Sequence, residues 1–316
     1  MLGTRSLAAA TAEAPAQLAN LGSDDWHRLL ALYAGGSYGP EFERGFDNGR
    51  FFLSAKDALA GRTPRIIEWT GGRNPPGDEV IPCDLRVDHV YLVSCKYQSR
   101  ILHNGSPARI FDGLLSAVRT PRTDWYLVSA PNEYQQLYEI CRQTVGAGAP
   151  MPADVADLDP RARRSLATSL ASGWPGNAAA AYAALCSKVS ESTAARWSAS
   201  LSPAKRETML WRLLRIGAAP YFILGTDSRG SMRFRIDTPW DWRQAFRLKE
   251  FTVSPMTGGQ PLVSWSARYV VNATNEERLV AGHVEIRWSH GRFTHPPEAK
   301  VYLDTPHAGV PGYHLL

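Results

Sequence analysis

Nowhere does the chain carry an unbroken apolar run approaching the roughly 18 residues that a helix needs to cross a bilayer, so no membrane span is expected. Cysteine is scarce: the four, at 83, 95, 141 and 186, include no Cys-x-x-Cys pair. That spacing argues against a zinc ribbon and for buried free thiols in a reducing cytoplasm. Of the eight histidines, His283, His290, His295 and His307 gather toward the C-terminus without the spacing of a ligand set. The glycine-rich stretch Gly71–Gly77 lacks the Gly-Lys-Ser/Thr ending of a phosphate loop, which excludes a nucleoside triphosphate site of that kind. No internal repeat is present. The alanine-rich start holds a single arginine, Arg5, and no compact leucine or valine block, so a disordered or loosely helical lead-in is expected over 1–22.

What remains is ordinary in bulk and unusual in one place. With 316 residues, 44% of them hydrophobic, the chain can form one large domain or two ordinary ones. The unusual stretch runs from Gly77-Asp78 through Cys83-Asp84 to Val93-Ser94-Cys95-Lys96-Tyr97. Residues 90–98 are rich in β-branched and aromatic types, and with 80–88 they read as a hairpin turning at Asp88-His89-Val90. A three-residue loop pairs Val87 with Tyr91, and that register sets Asp84 opposite Ser94. Side chains alternate along a strand, so Ser94 and Lys96 share a face. An acid that can hold a divalent cation, beside a lysine that can steady an attacking water or a charged transition state, is chemistry suited to cutting a phosphodiester.

Asp84, nine residues, then Ser94-x-Lys96 resembles the motif of the PD-(D/E)XK nuclease superfamily, most closely its Mrr-like and type II restriction branches. Serine stands where that family usually carries a carboxylate, and serine is the weaker ligand. A further acid is therefore sought. The resemblance points to Glu43, in Pro40-Glu41-Phe42-Glu43 at the start of an expected helix over 41–60, with Glu41 in reserve. Glu68 is a third candidate, and Asp78 a further metal ligand at the end of the glycine-rich connection. The expected elements then follow as strands near 65–70, 79–88 and 90–98, a helix over 107–118, a strand at 125–129 and a helix over 132–143. The order α-β-β-β-α-β-α is that of the family core. The resemblance thus implies a restriction-endonuclease-like α/β (α+β) fold over 23–145, a central mixed sheet flanked by helices, using Mg²⁺ or Mn²⁺. Asp84, Ser94, Lys96 and Glu43 would be catalytic, and Asp84, Glu43 and Asp78 would hold the metal.

The Gly/Ala/Pro-rich 146–160 reads as a linker. Beyond it, 161–316 reads as helices followed by antiparallel strands. Between 201 and 250, ten Lys and Arg oppose five Asp and Glu, an excess equal to the +5 of the whole chain. Arg233, Arg235, Arg243, Arg247 and Lys249, interleaved with aromatics including Trp242, are the candidate DNA contacts, since cations neutralise phosphates and rings stack on bases. The expectation is a cytoplasmic, metal-dependent DNA endonuclease. The resemblance implies restriction or anti-phage defence, a homodimer for double-strand cuts, and room for a defence-system partner. A nuclease fold that has lost its chemistry and binds DNA or scaffolds a complex, and an RNA-directed nuclease, are the alternatives.

Overall fold

The computed structural model describes residues 2–70, 83–97, 100–115, 123–145, 151–217, 219–227 and 230–316. In chain order these form α1 (Leu7–Thr11), β1 (Leu18–Ala19), α2 (Ser23–Ala34), α3 (Gly39–Ser54), β2 (Ile67–Trp69), β3 (Leu85–Val87), β4 (Tyr91–Tyr97) and β5 (Ile101–Gly105). Next come a π-helical turn (Arg109–Gly113), α4 (Trp125–Ser129), α5 (Pro131–Arg142), α6 (Pro160–Ser169), α7 (Ala178–Ser200) and α8 (Pro203–Leu213). The chain continues with β6 (Tyr221–Asp227), β7 (Gly230–Ile236), α9 (Pro239–Ala245), β8 (Phe246–Met256), β9 (Leu262–Val271), β10 (Glu276–Arg287), β11 (Glu298–Leu303) and β12 (Tyr313–Leu315). The class is mixed α/β with two sheets, one mixed and one antiparallel.

Two compact units share the chain. The first takes 1–100, 215–246 and 307–316, and the second 101–214 and 247–306. The first unit's sheet runs β1-β2-β3-β4-β6-β7-β12. Strands β2, β3 and β4 form an antiparallel meander, and β6 lies parallel to β4. One face of the meander buries Val87 and Val93, together with Phe222 and Leu224 of β6, against Phe52 of α3. The Phe52 and Phe222 rings meet edge to face at 4.9 Å, a favoured aromatic geometry. Proline near the first turn of α3 fits a position where the missing N–H is not needed.

The hairpin turn fixes the meander's register. Asp88 and His89 both adopt left-handed backbone (φ +52° and +58°), as a type I′ turn requires, and Val90 N donates to Val87 O at 3.1 Å. Asp88 Oδ1 accepts from the Arg65 and Ile66 N–H groups at 2.7 and 3.1 Å, and its other oxygen pairs with Arg62. The turn is thereby tied to the chain entering β2. Farther along, β4 and β6 approach so closely that a Cβ on Gly225 would lie 1.9 Å from the Lys96 carbonyl oxygen. Only glycine fits there.

The second unit's sheet runs β5-β11-β10-β9-β8, and its β5–β11, β11–β10 and β10–β9 pairs are antiparallel. Strand β9 alternates, sending Val263, Trp265 and Ala267 inward. Gly282, opposite Trp265, leaves room for that ring, which a Cβ would approach to 2.4 Å. Helix α7 is bound to its neighbours by two hydroxyls. Trp125 Nε1 donates to Thr193 Oγ1 at 2.9 Å, and Leu262 N donates to Ser190 Oγ at 2.9 Å.

Several sequence expectations are met and others are corrected. The pairing of Val87 with Tyr91 is as expected. Residues 125–129, expected as a strand, are helix α4: Asp124 accepts from Tyr126 N and caps it, and Trp125, Tyr126 and Ser129 are buried at helical spacing. A short apolar run does not distinguish a buried strand from a buried helical turn. The strand parallel to β4 is instead β6, more than a hundred residues downstream. The helix expected over 107–118 is reduced to the π-helical turn at 109–113 among the described residues. The lead-in forms α1 and a short strand, β1, parallel to β2. The units divide elsewhere than at 146–160: that stretch falls inside the second unit, and its residues 146–150 lie outside the described ones.

Replacing Asp88 tests the turn. Burial alone would raise its carboxyl pKa, but hydrogen bonds from Arg62, Ile66 and Arg65 outweigh that and hold it below 3.8. Its contribution is therefore present at neutral pH and lost as pH falls through the depressed value. Asp88→Ala is expected to cost about 1–2 kcal/mol in urea melts at pH 7, with a smaller difference from wild type near pH 3.

Candidate active site

Register delivers the site. The pairs Val87–Tyr91 and Leu85–Val93 continue the ladder to Asp84, whose N–H donates to Val93 O at 2.9 Å. The Asp84 carboxylate then reaches across β4: Oδ2 accepts from Ser94 Oγ at 3.1 Å and from Cys95 N at 2.6 Å. Both bonds fall on Oδ2. Asp84 is exposed, Ser94 buried and Lys96 half-buried. Ser94 and Lys96 alternate with the core residue Val93, so they project from the face opposite α3.

Two residues that sequence reasoning did not single out complete this face. Arg215, buried and left-handed (φ +63°) after the end of α8, places its charge near Lys96. Tyr221, buried at the start of β6 opposite Leu92, shares a side-chain hydrogen bond with Ser94. Burial first, and then the Arg215 charge, lower the Lys96 pKa, while Asp84 pulls it upward. Burial raises the Tyr221 pKa, against the pull of Arg215. No local signal marks Arg215 in the sequence, where it is one basic residue of ten at the end of a helix.

Among the described residues the further acids sought do not gather with Asp84 into a metal-binding group. Glu43 is exposed on α3, the helix that covers the other face of the meander. At about 100° per residue it lies about 140° around the helix from the inward Asn48. Glu41 belongs to the same helix. Asn48 instead donates to Gly225 O at 3.4 Å and accepts from Arg233 Nε at 2.8 Å. Glu68 pairs with His89 at the turn end of the hairpin, at 2.8 Å. Asp78 lies outside the described residues. Among the described residues no three His, Cys, Asp or Glu side chains gather as a metal-binding group.

The donor set that does form suits a hard cation. Asp84 and Ser94 offer oxygens on one face, and Mg²⁺ is commonly held by one or two carboxylates, waters and substrate phosphate oxygens. Glu43 does not fit as the second carboxylate. The cysteines divide: Cys83, Cys141 and Cys186 are buried free thiols as expected, whereas Cys95 is exposed.

The candidate DNA contacts are distributed over both units. Arg233 is committed to Asn48 and lies over the Phe51 ring at 4.3 Å. Arg235 pairs with Asp237 at 3.5 Å, and Asp237 also meets His314 at 2.8 Å. Trp242 is wholly buried and so cannot stack on a base; Trp240, 72% exposed, is the accessible ring of α9. Arg243 and Arg247 are exposed, and Lys249 pairs with Glu277. Arg247 and Lys249 belong to the second unit and the others to the first.

Compared with protein-family models, with curated proteins and with solved structures, the chain matches none.

The Lys96 ammonium is held where its charge is disfavoured, a pattern of functional rather than stabilising groups. Lys96→Met is expected to leave folding stability unchanged or raise it by about 1 kcal/mol. Because the folded pKa lies below 10.5, the unfolded chain binds the proton more tightly. Wild-type stability should therefore rise relative to the variant as pH climbs through the window from the depressed pKa to 10.5. Denaturant melts of both proteins across that window check the sign; a clear loss of stability in the variant at pH 7 would make Lys96 a structural cation.

Proposed function

We propose that the first unit is a metal-dependent endonuclease that hydrolyses DNA phosphodiester bonds. The observation that carries this reading is the Asp84 carboxylate bonded to Ser94 Oγ and Cys95 N on the face that also presents Lys96. The order of elements supports it: α3, the antiparallel meander β2-β3-β4, then β6 parallel to β4, as in a restriction-endonuclease-like core.

In this reading the Asp84 carboxylate would hold Mg²⁺ or Mn²⁺. Ser94 and the Cys95 amide fix that carboxylate through Oδ2, a preorganised arrangement that needs no rearrangement when charge develops. The metal, when bound, supplies an acidified water and neutralises phosphate charge. Lys96 donates to the attacking water or to a non-bridging oxygen as negative charge builds on phosphorus. Water's oxygen forms the new bond to phosphorus, the bridging P–O bond breaks, and the leaving oxygen takes a proton. Tyr221 holds Ser94, and Arg215 sets the field around Lys96. Restriction or anti-phage defence is the setting such an activity would serve, with two copies for double-strand cuts.

One observation favours a second reading, a nuclease fold that binds DNA without cutting it. Among the described residues no group of three metal-ligating side chains forms around Asp84, and Ser94 occupies the place of a second carboxylate. Incubation with Mg²⁺ and plasmid DNA, single-stranded DNA and RNA in parallel separates the readings. Wild type is expected to cut DNA, and Asp84→Ala and Lys96→Ala to lose at least about 100-fold in rate, the usual scale for groups acting on transition-state charge. DNA binding with no cleavage of any substrate would establish the second reading, and a preference for RNA would change the substrate.

A further inference from the structure

The second unit holds a concave site that the proposed cleavage chemistry does not use. A cavity of about 780 Å³ is lined by Trp174, Tyr182 and Trp288, with Arg287, Arg292 and Gln260 among its polar residues. That volume lies within the range of small-molecule and cofactor sites. Its aromatic rings form a compact cluster: Trp174 on Tyr182 at 4.8 Å, Tyr182 on Trp288 at 6.0 Å with 20° between planes, and Trp174 tilted to Trp288 at 6.4 Å. All three are half-buried, so ring surface remains open to a ligand.

The charge of the lining has one sign. Arg287 and Arg292 contribute to the wall, and none of the lining residues is Asp or Glu. Arg292 lies over the Trp174 ring at 4.4 Å and donates one Nη1 bond to Leu170 O at 2.6 Å, which anchors it. A guanidinium has five N–H donors, so the remainder can serve an anion. Arg287 meets Glu285 at 3.2 Å through Nη1, yet its buried Nε has no partner among the described residues. Trp288 Nε1 is a second buried donor without a partner there. Both atoms are shielded from solvent, so the polar groups that can face the cavity are the Arg292 and Arg287 guanidinium ends and Gln260.

We propose that this pocket binds a single nucleotide, its base stacked on the Trp174–Tyr182–Trp288 wall and its phosphate held by Arg292 and Arg287. A flat ring system with an anionic group is the ligand that answers both features of the lining, its aromatic rings and its clustered arginines. The nucleotide comes either free or as an unpaired residue of a nucleic-acid strand, and both offer the same chemistry. The inference stands on the second unit alone and does not depend on cleavage by the first.

Calorimetric titration of the full chain in EDTA, with Asp84→Ala in parallel, tests it without cleavage. The probes are deoxynucleoside monophosphates, the matching nucleosides, inorganic phosphate, a short single-stranded oligonucleotide and a blunt duplex. At least one monophosphate or the single strand is expected to bind, at least about 10-fold tighter than its nucleoside, and equally in wild type and Asp84→Ala. Trp174→Leu and Arg292→Gln should each weaken binding about 5- to 100-fold, the scale of one stacking or charge-assisted contact. Trp174→Phe should retain it. Gln260→Glu, at a half-buried lining position, adds a negative charge without emptying the core and should abolish binding in a protein that melts normally. Equal affinity for monophosphate and strand points to a free nucleotide, and binding of the single strand alone to an extruded residue. No binding of any probe at millimolar concentration, or binding that survives both Arg292→Gln and Gln260→Glu, overturns the proposal.

Discussion

The bond set on Asp84 Oδ2, from Ser94 Oγ and Cys95 N, is the contact on which the candidate chemistry depends. It exists because the β3–β4 hairpin holds one register, and the register is held at its far end by Asp88, which caps the approach to β2 while forming a left-handed turn. A slip of one residue would send Ser94 and Lys96 to the α3 side and Val93 out of the core. The burial of Val87 and Val93 against Phe52 therefore selects the same register that assembles the polar face.

The sheet thereby separates two tasks. Its α3 face is largely apolar and also carries Arg233, which donates to Asn48 and lies over the Phe51 ring. Its other face carries Asp84, Ser94 and Lys96, with Arg215 and Tyr221 behind them. Placing a buried cation, Arg215, near a half-buried lysine is unfavourable for folding and lowers the lysine pKa. Asp84 offsets part of that.

The hairpin was legible because its signals are local: β-branched alternation, a turn of fixed length and a parity that can be counted from Asp84 to Ser94. The start of α6 rests on an equally local signal, Asp159 accepting from Ala162 N with Pro160 in the first turn. Other features depend on contacts across long separations. Residues 125–129 lack a period that separates strand from helix, and β6 joins β4 only after the chain has passed through 101–214. Glu43 looked suitable by position, but the face that α3 turns toward the sheet is set by Asn48 and Phe52. Composition linked Arg233 with Lys249, whereas the fold assigns them to different units. Trp242 and Trp240 are two residues apart, one buried and one exposed, which composition cannot distinguish.

The central claim is that Asp84 holds a divalent cation on the Ser94–Lys96 face. Mn²⁺ binding followed by electron paramagnetic resonance, with a phosphorothioate duplex that resists cleavage, measures it directly in wild type and in Asp84→Asn. The account predicts tight Mn²⁺ binding by wild type that is strengthened by the duplex and lost in Asp84→Asn, with both proteins folded. Equal Mn²⁺ binding by the two proteins, or none by either in the presence of the duplex, would contradict it.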